Sequence, residues 1–102
     1  MKASIQNKLD NLSQRFEEIT SLLAEPTIQN DQNRFRALSR EYAQLNPLIG
    51  CFRRYQTALE DIAFAETLAQ DADPEVRAMG KEEQLAAIEK AEALTQELQI
   101  LL

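Results

Sequence analysis

The 102-residue chain has no histidine, one cysteine, two glycines and three prolines, and each shortage removes a class of chemistry. Without histidine there is no His-based catalytic triad, and the commonest ligand for zinc or copper is missing. A lone Cys51 can form no internal disulfide, no cysteine-rich metal site and no iron–sulfur cluster. Set between Gly50 and Phe52, it reads as a packed, inert thiol, and the compartment it implies is cytosolic. Gly50 and Gly80 stand 30 residues apart, so no glycine-rich phosphate loop exists. So few glycines and prolines cannot supply the turns of a β-protein. No run approaches the roughly 18 apolar residues of a membrane span, and "MKASIQNKLD" offers no apolar stretch to a signal peptide. Neither a cofactor nor catalysis by this chain alone is expected.

What is present is helical periodicity. Hydrophobic residues make up 44% and charged residues 27%, a balance that suits one folded, helix-rich domain over residues 1–102. Ile5, Leu9, Leu12, Phe16, Ile19 and Leu23 follow at spacings of 4, 3, 4, 3 and 4, a heptad seam. This predicts a helix over about 4–25, with Ser4 as N-cap and its end before Pro26. "EPTIQNDQ" reads as a connector, with Asp31 a candidate N-cap for the next helix. Phe35, Leu38, Tyr42, Leu45, Ile49 and Phe52 resume the seam, which then slips to Tyr55, Leu59 and Ile62. A second helix over 31–70 is predicted, kinked or broken at 46–47 by Pro47.

Asp73 as N-cap, Pro74 in the first turn and Glu75 at the positive helix end start a further helix over 74–102. Its apolar line is Ala87, Ala91, Leu94, Leu98 and Leu101, preceded by the sparse Val76, Met79 and Leu85. The expected architecture is all-α: three to four long amphipathic helices in an elongated, antiparallel, coiled-coil-like bundle. The apolar "LQILL" ending suggests a cut rather than a completed terminus. An isolated domain of this kind could self-associate through exposed seam residues.

Charge is unevenly distributed beneath the formal net of −6. Residues 1–31 carry a net −2, residues 32–59 carry five arginines against Glu41, a net +4, and residues 60–102 carry a net −8. Asp71, Asp73, Glu75 and Glu82 fall at positions 1, 3, 5 and 12 of a would-be calcium loop. Its sixth position, which needs glycine, is Val76, and Pro74 starts a helix there, so helix capping is the better account. On an unbroken helix Arg36, Arg40 and Arg54 lie within about 40° of one another. The aromatic residues belong to the opposite, inward side, so the arginines are not interleaved with stacking rings as in single-strand binders. Three exposed arginines are too few for autonomous nucleic-acid binding; the first reading is a solvated helix face helped by nearby acids, and the second a docking stripe for an acidic partner or for RNA phosphates.

In "SIQNKLDNLSQRFEEI", "RFRALSREYAQL", "CFRRYQTALEDIAFAETLAQD", "DPEVRAMGKEE" and "LTQELQILL", in that order, the chain resembles the N-terminal domain of bacterial class I peptide-chain release factors. The closer likeness is to the type that reads UAA and UAG. The resemblance implies a translation-termination protein whose parent chain enters the ribosomal A site, reads the stop codon and promotes peptidyl-tRNA hydrolysis. In that family a Pro-x-Thr tripeptide reads the codon and a Gly-Gly-Gln loop serves the peptidyl-transferase centre; neither occurs in this sequence, so no catalytic or codon-reading residue carries over. The resemblance further implies an excised N-terminal domain with an accessory role. Its expected place is near the large-subunit stalk base and the recycling GTPase, in the cytoplasm, with Arg36, Arg40 and Arg54 as the docking surface. The competing reading is a free-standing helical adaptor or coiled-coil dimerisation module, whose heptads would continue without the breaks at Pro47 and Asp73-Pro74.

Overall fold

The computed structural model describes residues 1–102 as four helices with no strand. They are α1 (Ala3–Leu23), α2 (Pro26–Gln29), α3 (Gln32–Leu68) and α4 (Pro74–Leu101). The protein is all-α, as the periodicity requires. Two compact units divide it, residues 1–50 and 51–102, and the division falls inside α3. No helix is long and apolar enough to cross a membrane.

In the first unit α1 and the N-terminal half of α3 run antiparallel. Phe16 meets Tyr42 with ring centroids 4.8 Å apart and planes tilted by 39°, and Ile19 packs with Leu38. Three expectations change here. Ser4 lies inside α1 instead of capping it; the N-cap is Lys2, with no side-chain bond. The connector after Pro26 holds a helical turn, α2, started by proline at its first position, where a missing N–H costs nothing. That turn carries Ile28, 1% exposed, into the cluster of Ile19 and Leu38, with Leu22, Leu23, Tyr42 and Leu45 around it. Phe35 does not join the seam: it stands 40% exposed at the start of α3.

Asp31 caps α3 as expected, its Oδ1 accepting from the Arg34 N–H at 3.2 Å. The helix then continues through Pro47 without interruption, so no break occurs at 46–47. Leu48 and Ile49, 6% and 0% exposed, immediately follow the proline.

The second unit is a hairpin of the remainder of α3 and α4. Its buried residues are Cys51, Phe52, Tyr55, Ala58 and Ala65 on α3, and Gly80, Ala91, Leu94 and Leu98 on α4. The predicted seam residue Leu59 is instead exposed: the buried line of this unit's part of α3 runs through Cys51, Tyr55, Ala58 and Ala65, at spacings of 4, 3 and 7, and passes Leu59 by. Met79 and Leu85 are also exposed, and Gly80 takes their place against α3. Asp73 caps α4 as predicted, its Oδ1 accepting from the Glu75 N–H at 2.9 Å. Arg77 Nη1 donates to the carbonyls of Asp71 and Ala72 at 3.0 Å each, so a guanidinium braces the turn.

The two glycines face opposite conditions. A Cβ at Gly80 would meet the main-chain nitrogen of Ala69, the Leu68 carbonyl carbon at 2.7 Å and Leu68 Cβ at 2.8 Å; one at Gly50 would meet nothing within 4 Å. Alanine favours a helix over glycine by about 1 kcal/mol, whereas overpacking costs about 1–3 kcal/mol and is worst against backbone that cannot rotate away. Gly50→Ala should therefore raise the urea midpoint, and Gly80→Ala should lower it, by a net of up to about 2 kcal/mol of stability. Equal shifts in the two denaturation curves would contradict this packing.

Candidate functional site

The candidate surface is the outer side of the first half of α3. The inward positions Leu38, Tyr42 and Leu45 fix the rotation of the helix in the first unit, and Arg34, Arg36 and Arg40 are exposed. Arg36 and Arg40 are four residues apart, which places them about 40° apart around the axis and about 6 Å along it. Neither forms an ion pair.

An acid stands one residue beyond Arg40 but does not face it. Glu41 is the only acid in this stretch, and Arg15 of α1 takes it in a two-pronged bridge. Arg15 Nε reaches Glu41 Oε2 at 2.7 Å and Arg15 Nη2 reaches Oε1 at 2.8 Å. Arg15 Nη1 also lies 3.2 Å from Glu18 Oε1. Such fork-to-carboxylate geometry satisfies both carboxylate oxygens at once. The Arg15 hydrogen bonds hold the Glu41 carboxyl below its ordinary value, and Glu41 in turn raises the Arg15 guanidinium. Glu41 stands one residue after Arg40 and five after Arg36, spacings that do not face each other on a helix, and its carboxylate is taken by Arg15, so neither arginine is compensated on its own helix.

Arg54 differs from the other two predicted positions. It belongs to the second unit and is paired, its Nη2 3.2 Å from Glu97 Oε1. Both side chains are about half exposed, so the pair is screened and contributes little to stability. Arg36 and Arg40 thus form one local cationic face, and Arg54 is a separate, partly neutralised site.

The structure contains no cluster of three or more His, Cys, Asp or Glu side chains that could hold a metal. Asp71 and Asp73 spend their carboxylates on main-chain N–H groups, Asp71 accepting from Asp73 at 2.9 Å. Cys51 is fully buried, its thiol 3.9 Å from the Leu94 carbonyl, and burial pushes its pKa up. That is the environment of an unreactive thiol.

The arrangement has no catalytic constellation; it is a helical surface carrying an unpaired cationic face. The PCRF domain, that of peptide chain release factors, is matched over residues 12–102, which includes every arginine discussed above. The chain belongs to that family and is a release-factor-type translation termination domain.

The Arg15–Glu41 bridge makes stability depend on pH in a definite direction. Because the folded-state pKa of Glu41 lies below its ordinary value of 4.5, its contribution is fully present above that value and is lost as pH falls through the folded value. Chemical denaturation of the wild type and of Glu41→Gln should show a stability gap at neutral pH that closes below the ordinary carboxylate range. Parallel curves down to acid pH would remove the bridge from the account.

Proposed function

We propose that this chain serves as the accessory N-terminal domain of a class I release factor of the type reading UAA and UAG. In this reading it helps dock the factor on the ribosome, at the large-subunit stalk base, and meets the recycling GTPase there. The domain performs no chemistry itself; codon reading and peptidyl-tRNA hydrolysis belong to the rest of the factor, in the cytoplasm. Family membership supports the setting, and the type-specific part rests on "RFRALSREYAQL" and its companion segments.

The observation that carries the docking role is the unpaired state of Arg36 and Arg40. Two guanidinium groups about 6 Å apart along a helix can each contact one phosphate or carboxylate. Contacts of this kind position a protein without specifying sequence and weaken steeply with salt.

Charge reversal in the full release factor tests this. Arg36→Glu with Arg40→Glu should weaken ribosome binding and reduce the slope of log affinity against log salt by about 2, roughly 1 for each lost contact. Hydrolysis at saturating factor should be unchanged. Arg54→Glu should have a smaller effect, because Glu97 already offsets that charge. Unchanged binding and salt slope in the double variant would remove Arg36 and Arg40 from the docking surface.

A further inference from the structure

The second unit carries a surface of the opposite character. Phe64 on α3 is 63% exposed, a large apolar side chain that the hairpin leaves uncovered. Beside it lies an open groove of about 290 Å³ lined by Asp61 and Phe64 of α3 and by Glu83, Ala86, Ala87 and Lys90 of α4. The four α4 residues sit at i, i+3, i+4 and i+7, a single face about two turns long. The two alanines give the groove a low floor, so the Phe64 ring stands as its apolar wall.

The charge around the groove selects the occupant. Residues 51–102 carry eleven acidic and five basic side chains, a net of −6, equal to that of the whole chain. Glu60, Asp61, Glu82, Glu83 and Glu89 are exposed and form no ion pair; Lys90 is the one cation in the lining. A second copy of this chain would set one −6 surface against another, and a nucleic acid would meet repulsion. A cationic helix with an apolar side would meet Phe64 and the alanines on that side and the carboxylates along its flanks.

We infer that the α3–α4 groove beside Phe64 binds a cationic amphipathic helix of a partner protein. The apolar side of that helix contacts Phe64, Ala86 and Ala87, and its lysine or arginine side chains reach Asp61 and Glu83. This surface shares no residue with the Arg36–Arg40 face and does not depend on the docking role proposed for it.

The test uses the 102-residue chain and a fluorescein-labelled peptide of about 18 residues, five helical turns, with leucine at helical spacing and lysine elsewhere. Fluorescence anisotropy should give saturable one-to-one binding. Phe64→Ala alone, and Asp61→Lys with Glu83→Lys, should each weaken it about tenfold or more, as expected for loss of an anchor or of its flanking charges. These side chains are at the surface, so circular dichroism should report the same helicity in every variant. Absence of saturable binding would overturn the inference. So would binding indifferent to Phe64→Ala, or equal binding of a peptide with glutamate in place of lysine. Sedimentation showing that the chain itself forms a dimer that Phe64→Ala abolishes would assign the groove to a second copy and overturn it as well.

Discussion

The period of the α-helix constrains this protein more than any single contact. A straight helix turns through 3.6 residues, and a heptad seam therefore drifts by about 20° every seven residues. In the second unit the buried residues of α3 that repeat at helical spacing are Cys51, Tyr55, Ala58 and Ala65, a line that ends on alanines. Small side chains at the contact let the two helices of the second unit approach closely, and Gly80 on α4 meets the main chain of Leu68 and Ala69. Leu59 and Phe64 stand about 100° round the axis from Ala58 and Ala65 respectively and are exposed. The alanine line and the exposed phenylalanine beside it are thus two consequences of one spacing.

Electrostatics is set by the helices rather than shaping them. Residues 1–50 carry six basic and six acidic side chains, yet their charge is not locally neutral. Arg15 binds Glu41 across the α1–α3 contact, and Arg36 and Arg40 form no ion pair. In the second unit the acids outnumber the cations, and their largest exposed apolar neighbour is Phe64. One unit offers a small cationic face and the other an acidic surface with an apolar centre. Proteins with such segregated charge discriminate partners by sign before contact, since like charges at an interface are costly.

What the sequence made legible was what local interactions decide. The α4 start at Asp73-Pro74-Glu75 and the cap at Asp31 depend on residues within a few positions of one another, and both were readable. The all-α class and the lines through α1 and α4 came from spacing alone. Ser4 misled because a good capping residue near an N-terminus need not be used when the helix begins two residues earlier, with Lys2 at the cap. Ile28 was hidden because a single turn has no period to detect, although Pro26 at its start and one apolar residue inside it were the available signs. The Arg15–Glu41 bridge spans 26 positions and needs the antiparallel register of α1 on α3 before it can be seen. A clue existed: Arg15 and Glu41 immediately precede Phe16 and Tyr42, the pair that stacks. Phe35 was misplaced because hydrophobic spacing was extended into the first turn of α3, and Leu59 because the spacing was carried on from Phe52 although the buried line there runs through Ala58.

Pro47 shows how tertiary packing overrides a local rule. A proline inside a helix removes one hydrogen bond and clashes with the preceding turn, at a cost of about 3 kcal/mol. Breaking the helix there would relieve that cost, but every residue added to or lost from the connection would rotate the rest of the helix by about 100°. Leu48 and Ile49 would then leave their buried positions. Burying a leucine and an isoleucine stabilises by about 1.5–3 kcal/mol each, so the pair matches or exceeds the penalty. Ala43, whose carbonyl loses its partner to the proline, is exposed and can bond to water instead. Pro47 itself is also exposed, so its ring displaces no core side chain. The helix continues because the residues after the proline have more to lose from a break than the backbone has to gain.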